Sequence, residues 1–247
     1  MKLLLINPNI SESVTALIEA EARRTASPGT TLTAVTATFG VAYIETRFEA
    51  LVGGYAAACL AGEHAAGHDA VIVAAFGDPG LPALREAVPV PVVGMTESAL
   101  ATACLLGARF SIVAISRRIV GWYRDTVQAC GVADRLAGLR FLDAPLRDPG
   151  TVQADHEAAL EALCRRCVDE DGADVVILAG APLAGLARGI RDRVPVPLVD
   201  GVSSAGRQAE TLAALRTTRP TAGSFAPPPA KPNAGLPEPI RRLLGGG

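Results

Sequence analysis

Asn7, Asn9, Asp78, Thr96, Glu97, Ser116 and Asp200 stand where apolar runs of this chain end and glycine- or proline-bearing turns begin. Leu3 to Ile6 leads into Asn7-Pro8-Asn9. Ala70 to Ala75 leads into Phe76-Gly77-Asp78-Pro79-Gly80, and Val92-Val93-Gly94 into Met95-Thr96-Glu97. In the second half, Arg109 to Ile115 reaches Ser116, Val175 to Ala179 reaches Gly180-Ala181-Pro182-Leu183, and Leu198-Val199 reaches Asp200. If each run is a parallel strand, these residues collect at the carboxyl edges of sheets, where open α/β sheets bind ligands. Backbone amides in such turns, and helix N-termini just beyond them, can hold a carboxylate or imide oxygen. Thr96, Glu97 and Asp200 are the best-placed hydroxyl and titratable groups, and Asp78 is a further candidate acid/base.

The elements that must position them occur twice. Asp69 to Ala99 reads DAVIVAAFGDPGLPALREAVPVPVVGMTESA, and Asp174 to Ala205 reads DVVILAGAPLAGLARGIRDRVPVPLVDGVSSA. The first part aligns at an offset of 105 residues and the later part at 106, so one residue is inserted between them. Each copy reads as strand, Gly/Pro turn, short helix and Val-Pro-Val-Pro strand. Around the copies, Leu3–Ile6 and Leu32–Thr38 read as strands, with helices from about Ser13 and from about Phe48 to His64. Arg109–Ile115 and Leu139–Asp143 repeat the strand pattern, with helices over Trp122–Ala129, Ala154–Asp169 and about Ser203–Leu215. Alternation of strands with helices of this length is the signature of parallel βαβ units. The expected fold is α/β, with two pseudo-symmetric lobes, each a parallel four-stranded sheet flanked by helices, and a cleft between them. The first lobe is expected over 1–97 plus about 206–247, the second over 98–205. The proline-rich end, Thr217 to Gly247, reads as an extended arm lying on the surface or on a neighbouring subunit.

Composition narrows the function. A net charge of -2 and 4% aromatic residues leave neither the basic patch nor the stacking platform of a nucleic-acid-binding surface. The longest apolar stretch, Ser98 to Ala108, is too short for a membrane span, and the N-terminus is too short for a signal-peptide core. Five cysteines without disulfide-like spacing fit a reducing compartment, and a cytoplasmic location is expected. Cys164-Arg-Arg-Cys167 lies in a helical pattern with no second pair, so no metal site is expected. His64, His68 and His156 form no ligand constellation, and no nucleotide or phosphate-loop fingerprint is present.

The motifs Ile6-Asn7-Pro8-Asn9, Phe76-Gly77-Asp78-Pro79-Gly80-Leu81, Pro91 to Ala99, Ala184-Gly185-Leu186-Ala187 and Val199-Asp200-Gly201-Val202 occur in one order. In that order they resemble the aspartate/glutamate/hydantoin racemase superfamily, most nearly its hydantoin and allantoin branch. The resemblance implies two lobes, each with a cysteine at a strand end. One thiolate removes a proton from the stereocentre and one thiol returns a proton to the other face, with no cofactor or metal. Here the sequence departs from the pattern it resembles. The first cysteine position is Ala75 and the second is Gly180, and the repeat independently pairs these two positions. A methyl group and a hydrogen cannot carry a proton.

The expected activity is therefore a non-cysteine, cofactor-independent reaction on a small amide, ureide or carboxylate: racemase-like proton transfer, or a cyclisation or elimination. The alternative is an inactive binding or accessory protein that keeps the cleft. Candidate proton carriers are Glu97, Tyr43 and Asp78, with Glu45 beside Tyr43 in the loop that could cover the cleft. The resemblance strengthens Asn7 and Asn9 as substrate ligands. With them, Phe76, Gly77, Thr96, Ser116, Gly180, Ala181, Pro182 and Asp200 make the expected binding set. Each also has an ordinary structural reading: Asn7 and Asn9 as strand-ending turn residues, Asp78 as a turn former before Pro-Gly, Glu97 and Asp200 as helix-start carboxylates. Ala75 and Gly180 are expected to face each other across the cleft. The partners expected are a small-molecule substrate and further copies of the chain, with neither nucleic acid nor membrane.

Overall fold

Strands alternate with helices along the whole computed structural model, which describes residues 1–143 and 148–245. The first half runs β1 (Lys2–Asn7), α1 (Glu12–Thr25), β2 (Thr31–Thr36), α2 (Arg47–His64), β3 (Ala70–Val73), α3 (Leu81–Ala87), β4 (Val92–Gly94) and α4 (Met95–Leu106). The second runs β5 (Phe110–Ala114), α5 (Val120–Ala129), β6 (Leu136–Phe141), α6 (Val152–Asp169), β7 (Val175–Leu178), α7 (Leu186–Ile190), β8 (Leu198–Asp200) and α8 (Gly201–Leu215), before a C-terminal α9 (Glu238–Leu243). The sheets have the same order, β2-β1-β3-β4 and β6-β5-β7-β8, with every pairing parallel. The repeat read from the sequence is the β3-to-α4 unit matched by the β7-to-α8 unit.

Leu3 to Ile6 shows why β1 sits in the middle of its sheet. Leu3 and Leu5 face a core shared with Val14 and Ile18 of α1, while Leu4 and Ile6 face a second core with Ala57 and Leu60 of α2. Successive side chains of a strand point to opposite faces, so a run that is apolar throughout needs cover on both. Each of the four is at most 1% exposed, a burial worth about 1.5–3 kcal/mol per side chain. The larger core continues from the inner face of the first sheet into the second, through Ala99 and Ala103 of α4 and Val202, Ala205 and Ala209 of α8.

Two helices cross between the halves. α4 follows β4 of the first sheet yet packs on β7 and β8 of the second, and α8 packs on β3 and β4 of the first. α1 adds a polar tie. Its buried Glu21 accepts hydrogen bonds from Arg24 of its own helix, from the Ser203 hydroxyl of α8 at 2.6 Å and from Arg188 of α7. Burial raises the Glu21 pKa, but the hydrogen bonds from Arg24 and Ser203 outweigh it and hold the group below its ordinary value.

The tail folds back on the first half rather than remaining wholly extended. Arg219 donates to the carbonyl of Ala87, and α9 packs on α2 where Gly62 leaves room for the Pro239 backbone. Pro239 in the first turn of α9 suits a helix start. The last two residues of the expected arm lie outside the described ones. Among the described residues no helix is long and apolar enough to cross a membrane.

Candidate active site

The turn after β3 is built around two glycines and one strained aspartate. Gly77, Asp78 and Gly80 all have positive φ, at 102°, 49° and 77°, and Asp78 is the costly member because it carries a side chain. Its carboxylate explains the conformation. Oδ1 accepts the Thr96 N–H at 2.8 Å and Oδ2 the Glu97 N–H at 2.9 Å, closing the amino end of α4. The Thr96 hydroxyl in turn accepts the Gly77 N–H at 2.5 Å, so turn and helix hold each other. Burial pushes the Asp78 carboxyl up to about 7 against the pull of these amides.

The second lobe solves the same problem from the other side. Asp200, at the end of β8, accepts the Ser203 N–H at 2.8 Å and so caps α8, while its other oxygen accepts the Gly185 N–H of the turn at 2.7 Å. Gly80 and Gly185 occupy matching left-handed positions before α3 and α7. Burial raises the Asp200 pKa.

Ala75 and Gly180 line one cavity between the two turns, as the repeat anticipates. Its volume is about 20 Å³, room for roughly one water. Asn9, Tyr43, Ile44 and Phe76 close it from the first half, and Tyr123, Ala181 and Pro182 from the second. The polar side chains among these are one amide and two phenols. Asn9 uses Oδ1 to accept from Asn7 Nδ2 at 3.0 Å and from the Ser11 N–H at 2.9 Å. Asn7, itself buried, ties that pair to Thr15. The Tyr43 hydroxyl is buried and has no hydrogen-bond partner among the described residues. Burial drives its pKa well above 10, with Tyr123, Glu45 and Glu49 pushing it further. Tyr123, 2% exposed, is raised likewise by burial and by Asp78, so both phenols rest as neutral donors. Its ring lies 4.7 Å from that of Phe76 and 5.6 Å from that of Trp122.

The other expected site residues stand elsewhere. Gly77, Asp78 and Glu97 line a larger cavity of about 440 Å³ with Arg85, Trp122 and Cys130. There Glu97 pairs with Arg85 and accepts the Gly94 N–H, completing the first turn of α4. Ser116 caps the short 3-10 turn before α5 by accepting the Arg118 N–H at 3.2 Å. Thr96 and Asp200 support the turns from behind. Tyr123 was not among the expected residues: it sits on a helix face, and no strand-end rule finds it. The five cysteines lie on α2, α4 and α6 or at the end of α5, and none lines the cavity of Ala75 and Gly180. Among the described residues no group of three or more side chains is placed to hold a metal ion.

A family model described as Asp/Glu/Hydantoin racemase matches residues 3–209. The chain belongs to the Asp/Glu/hydantoin racemase family. Within this enzyme superfamily it is 34% identical to the hydantoin racemase of Paenarthrobacter aurescens over 236 residues, covering 94% of this chain and 99% of that one. The solved allantoin racemase from Klebsiella pneumoniae superposes with a TM-score of 0.90 at 32% identity, over 95% of this chain and 96% of that chain. The allantoin racemase from Pseudomonas fluorescens gives 0.89 at 34%, over 95% and 100%. Family membership and the two-lobed fold are thus as the sequence motifs implied.

Proposed function

We propose that this racemase-family chain exchanges the proton on a carbon next to a carbonyl in a small amide, cyclic ureide or imide, without a cofactor, and that Tyr43 carries that proton in place of a thiol. One observation carries the reading: Tyr43, whose hydroxyl is buried and unpartnered among the described residues, lines the cavity shared by Ala75 and Gly180. A buried donor left without a partner costs about 1–3 kcal/mol, which an accepting substrate oxygen would relieve. As phenolate, Tyr43 takes the proton; the electron pair moves onto the carbonyl oxygen, where the Asn9 amide is at hand to donate. As phenol it returns the proton.

Neutral carbonyl compounds suit this lining better than free amino-acid anions, because among the described residues the cavity carries no cationic side chain to offset a buried carboxylate. The likeness to hydantoin and allantoin racemases points to the same chemical class. A ring needs more than the closed cavity gives, so the segment 37–46 that carries Tyr43 and Ile44 has to move aside for entry. Its ends are fastened, by the Ala37 N–H to the Asn7 carbonyl and by Glu49 to the amides of Glu45 and Thr46, and its middle is tied by the Ile10 N–H to the Val41 carbonyl.

The test is loss of the carbon-bound proton signal in D2O, followed by NMR, for 5-methylhydantoin, allantoin, an N-carbamoyl amino acid and free aspartate. Exchange of the first two faster than in buffer supports the reading. No exchange from any of them makes the chain a binding or accessory protein of the same fold.

A further inference from the structure

We infer that Tyr123 is the proton carrier on the Gly180 face of the cleft, acting opposite Tyr43, so that each half of the chain supplies one phenol to the stereocentre. The inference rests on the proton-exchange reading above and extends it to a residue that neither the family motifs nor the strand ends indicate.

Three observations carry it. A Cβ built on Gly180 would lie 4.0 Å from the Tyr123 hydroxyl, with only Pro182 nearer. A longer side chain there would therefore reach toward the place where Tyr123 already puts an O–H. Gly180 itself cannot readily recover a side chain, because its φ of 114° is one that L residues rarely adopt. Secondly, the Tyr123 ring is clamped between Phe76 and Trp122, and Trp122 is itself seated on Gly77, where any side chain would collide with the indole. The hydroxyl is thus held by ring packing from both halves, the fixed support that a catalytic group needs. Thirdly, Tyr123 and Tyr43 line the same cavity, whose only other polar side chain among the described residues is Asn9.

The proton balance closes with these two groups. Tyr43 as phenolate accepts the α-proton, and the bonding pair becomes the enolate pair. Tyr123 as phenol then gives its proton to the opposite face of the carbon, ending as phenolate. The site has exchanged which phenol is ionised, and the reverse turnover, or uptake of a solvent proton by Tyr123 with release of one from Tyr43, resets it. Each ionised phenol disfavours ionisation of the other, which keeps one charge per site.

Tyr123→Phe removes one oxygen and keeps the ring packing, so the fold is retained. Each enantiomer of 5-methylhydantoin is incubated in D2O with wild type, Tyr123→Phe and Tyr43→Phe, and chirality and deuterium content are measured together. In wild type, inversion and deuterium incorporation are expected from both hands. In Tyr123→Phe, inversion is expected to fall by about 100-fold or more, in the range that general acid/base groups supply. One enantiomer should still take up deuterium without inverting. The other substitution should show the opposite preference. If Tyr123→Phe slows inversion and exchange equally for both hands, or changes neither, Tyr123 is not the second carrier. If wild type gives no exchange at all, the underlying reading of the site fails, and with it this role.

Discussion

Asp78 fills the space that a side chain at Gly94 would need, and the same carboxylate closes the amino end of α4. The second half has the complementary arrangement. Its carboxylate, Asp200, stands at the position that matches Gly94, and from there it holds both its helix and its turn. One buried carboxylate per lobe therefore locks a strand-end turn to the next helix. In the first lobe it comes from the turn and in the second from the strand.

Gly94→Ala should consequently be costly. Its methyl group would meet the Asp78 carboxyl and lie 2.6 Å from Leu81 Cδ2. Overpacking of this kind costs about 1–3 kcal/mol, and the melting temperature should drop by several degrees. Combining it with Asp78→Ala should cost less than the two changes summed, because the second removes the obstruction that the first creates. Urea unfolding of the four variants measures the coupling; strict additivity would mean that the two side chains do not compete for one space.

The Asp78 carboxyl is also expected to set part of the pH dependence of stability. Its pKa rises from 3.8 to about 7 on folding, so the folded chain holds a proton there that the unfolded chain has lost. Stability from this group is complete below about pH 4 and is lost as pH rises through about 7. Glu170, held near 2 by Arg166 and Arg140, acts in the opposite sense and only at lower pH. Between pH 5 and 8 the melting temperature should therefore fall by several degrees, and Asp78→Asn should flatten that slope. A wild-type melting temperature that rises over this range would contradict the assignment.

Much of this was legible in the sequence because the signals are local. Continuous apolar runs such as Leu3–Ile6 mark strands buried on both faces, and the offset repeat pairs Ala75 with Gly180 without any knowledge of where they lie. The turn aspartates were legible as structure or chemistry, but not as which. Their partners are amides that helix packing brings close, such as those of Thr96 and Glu97. Glu97 is visible as a helix-start carboxylate, yet its pairing with Arg85 depends on α3 lying against β4. Tyr123 carries no local signal at all. It reaches the cleft because α5 leans across onto the Phe76 turn, a tertiary contact that periodicity does not encode. α9 was hidden for a similar reason: a proline-rich arm gives up its extended form where Gly62 leaves a seat for Pro239.

Thiol reagents should leave the activity intact. Cys164 and Cys167 are buried in the core of the second half, and burial pushes both thiols up to about 12. Cys130 is pushed up to about 11, by burial and then by Asp78 and Glu97, and it faces the larger cavity rather than the slot of Ala75 and Gly180. Treatment with iodoacetamide at pH 8, and serine substitution at each of the five positions, should each retain most of the proton exchange. Inactivation by the reagent with protection by substrate would show that a thiol does the chemistry.

The rate should climb with pH instead of passing through a maximum. Burial, with Tyr123, Glu45 and Glu49 adding to it, holds Tyr43 well above 10, and burial with Asp78 raises Tyr123. Both are overwhelmingly neutral at pH 6–9, so the reactive phenolate fraction grows about tenfold per pH unit. A slight flattening is expected near pH 7, where Asp78 ionises and opposes the charge on Tyr123. A bell-shaped profile centred in this range would mean that a group with a near-neutral pKa is the base.

Whether a phenol has taken over the work of a thiol comes down to the initial rate at which wild type and Tyr43→Phe move solvent deuterium into one enantiomer of 5-methylhydantoin, the hand that Tyr123→Phe still labels, measured on protein treated with iodoacetamide. Alkylated wild type should exchange well above the buffer rate, and alkylated Tyr43→Phe should fall about 100-fold or more below it with an unchanged melting temperature. Equal rates for the two proteins, or exchange abolished by alkylation alone, would contradict the assignment of proton transfer to Tyr43.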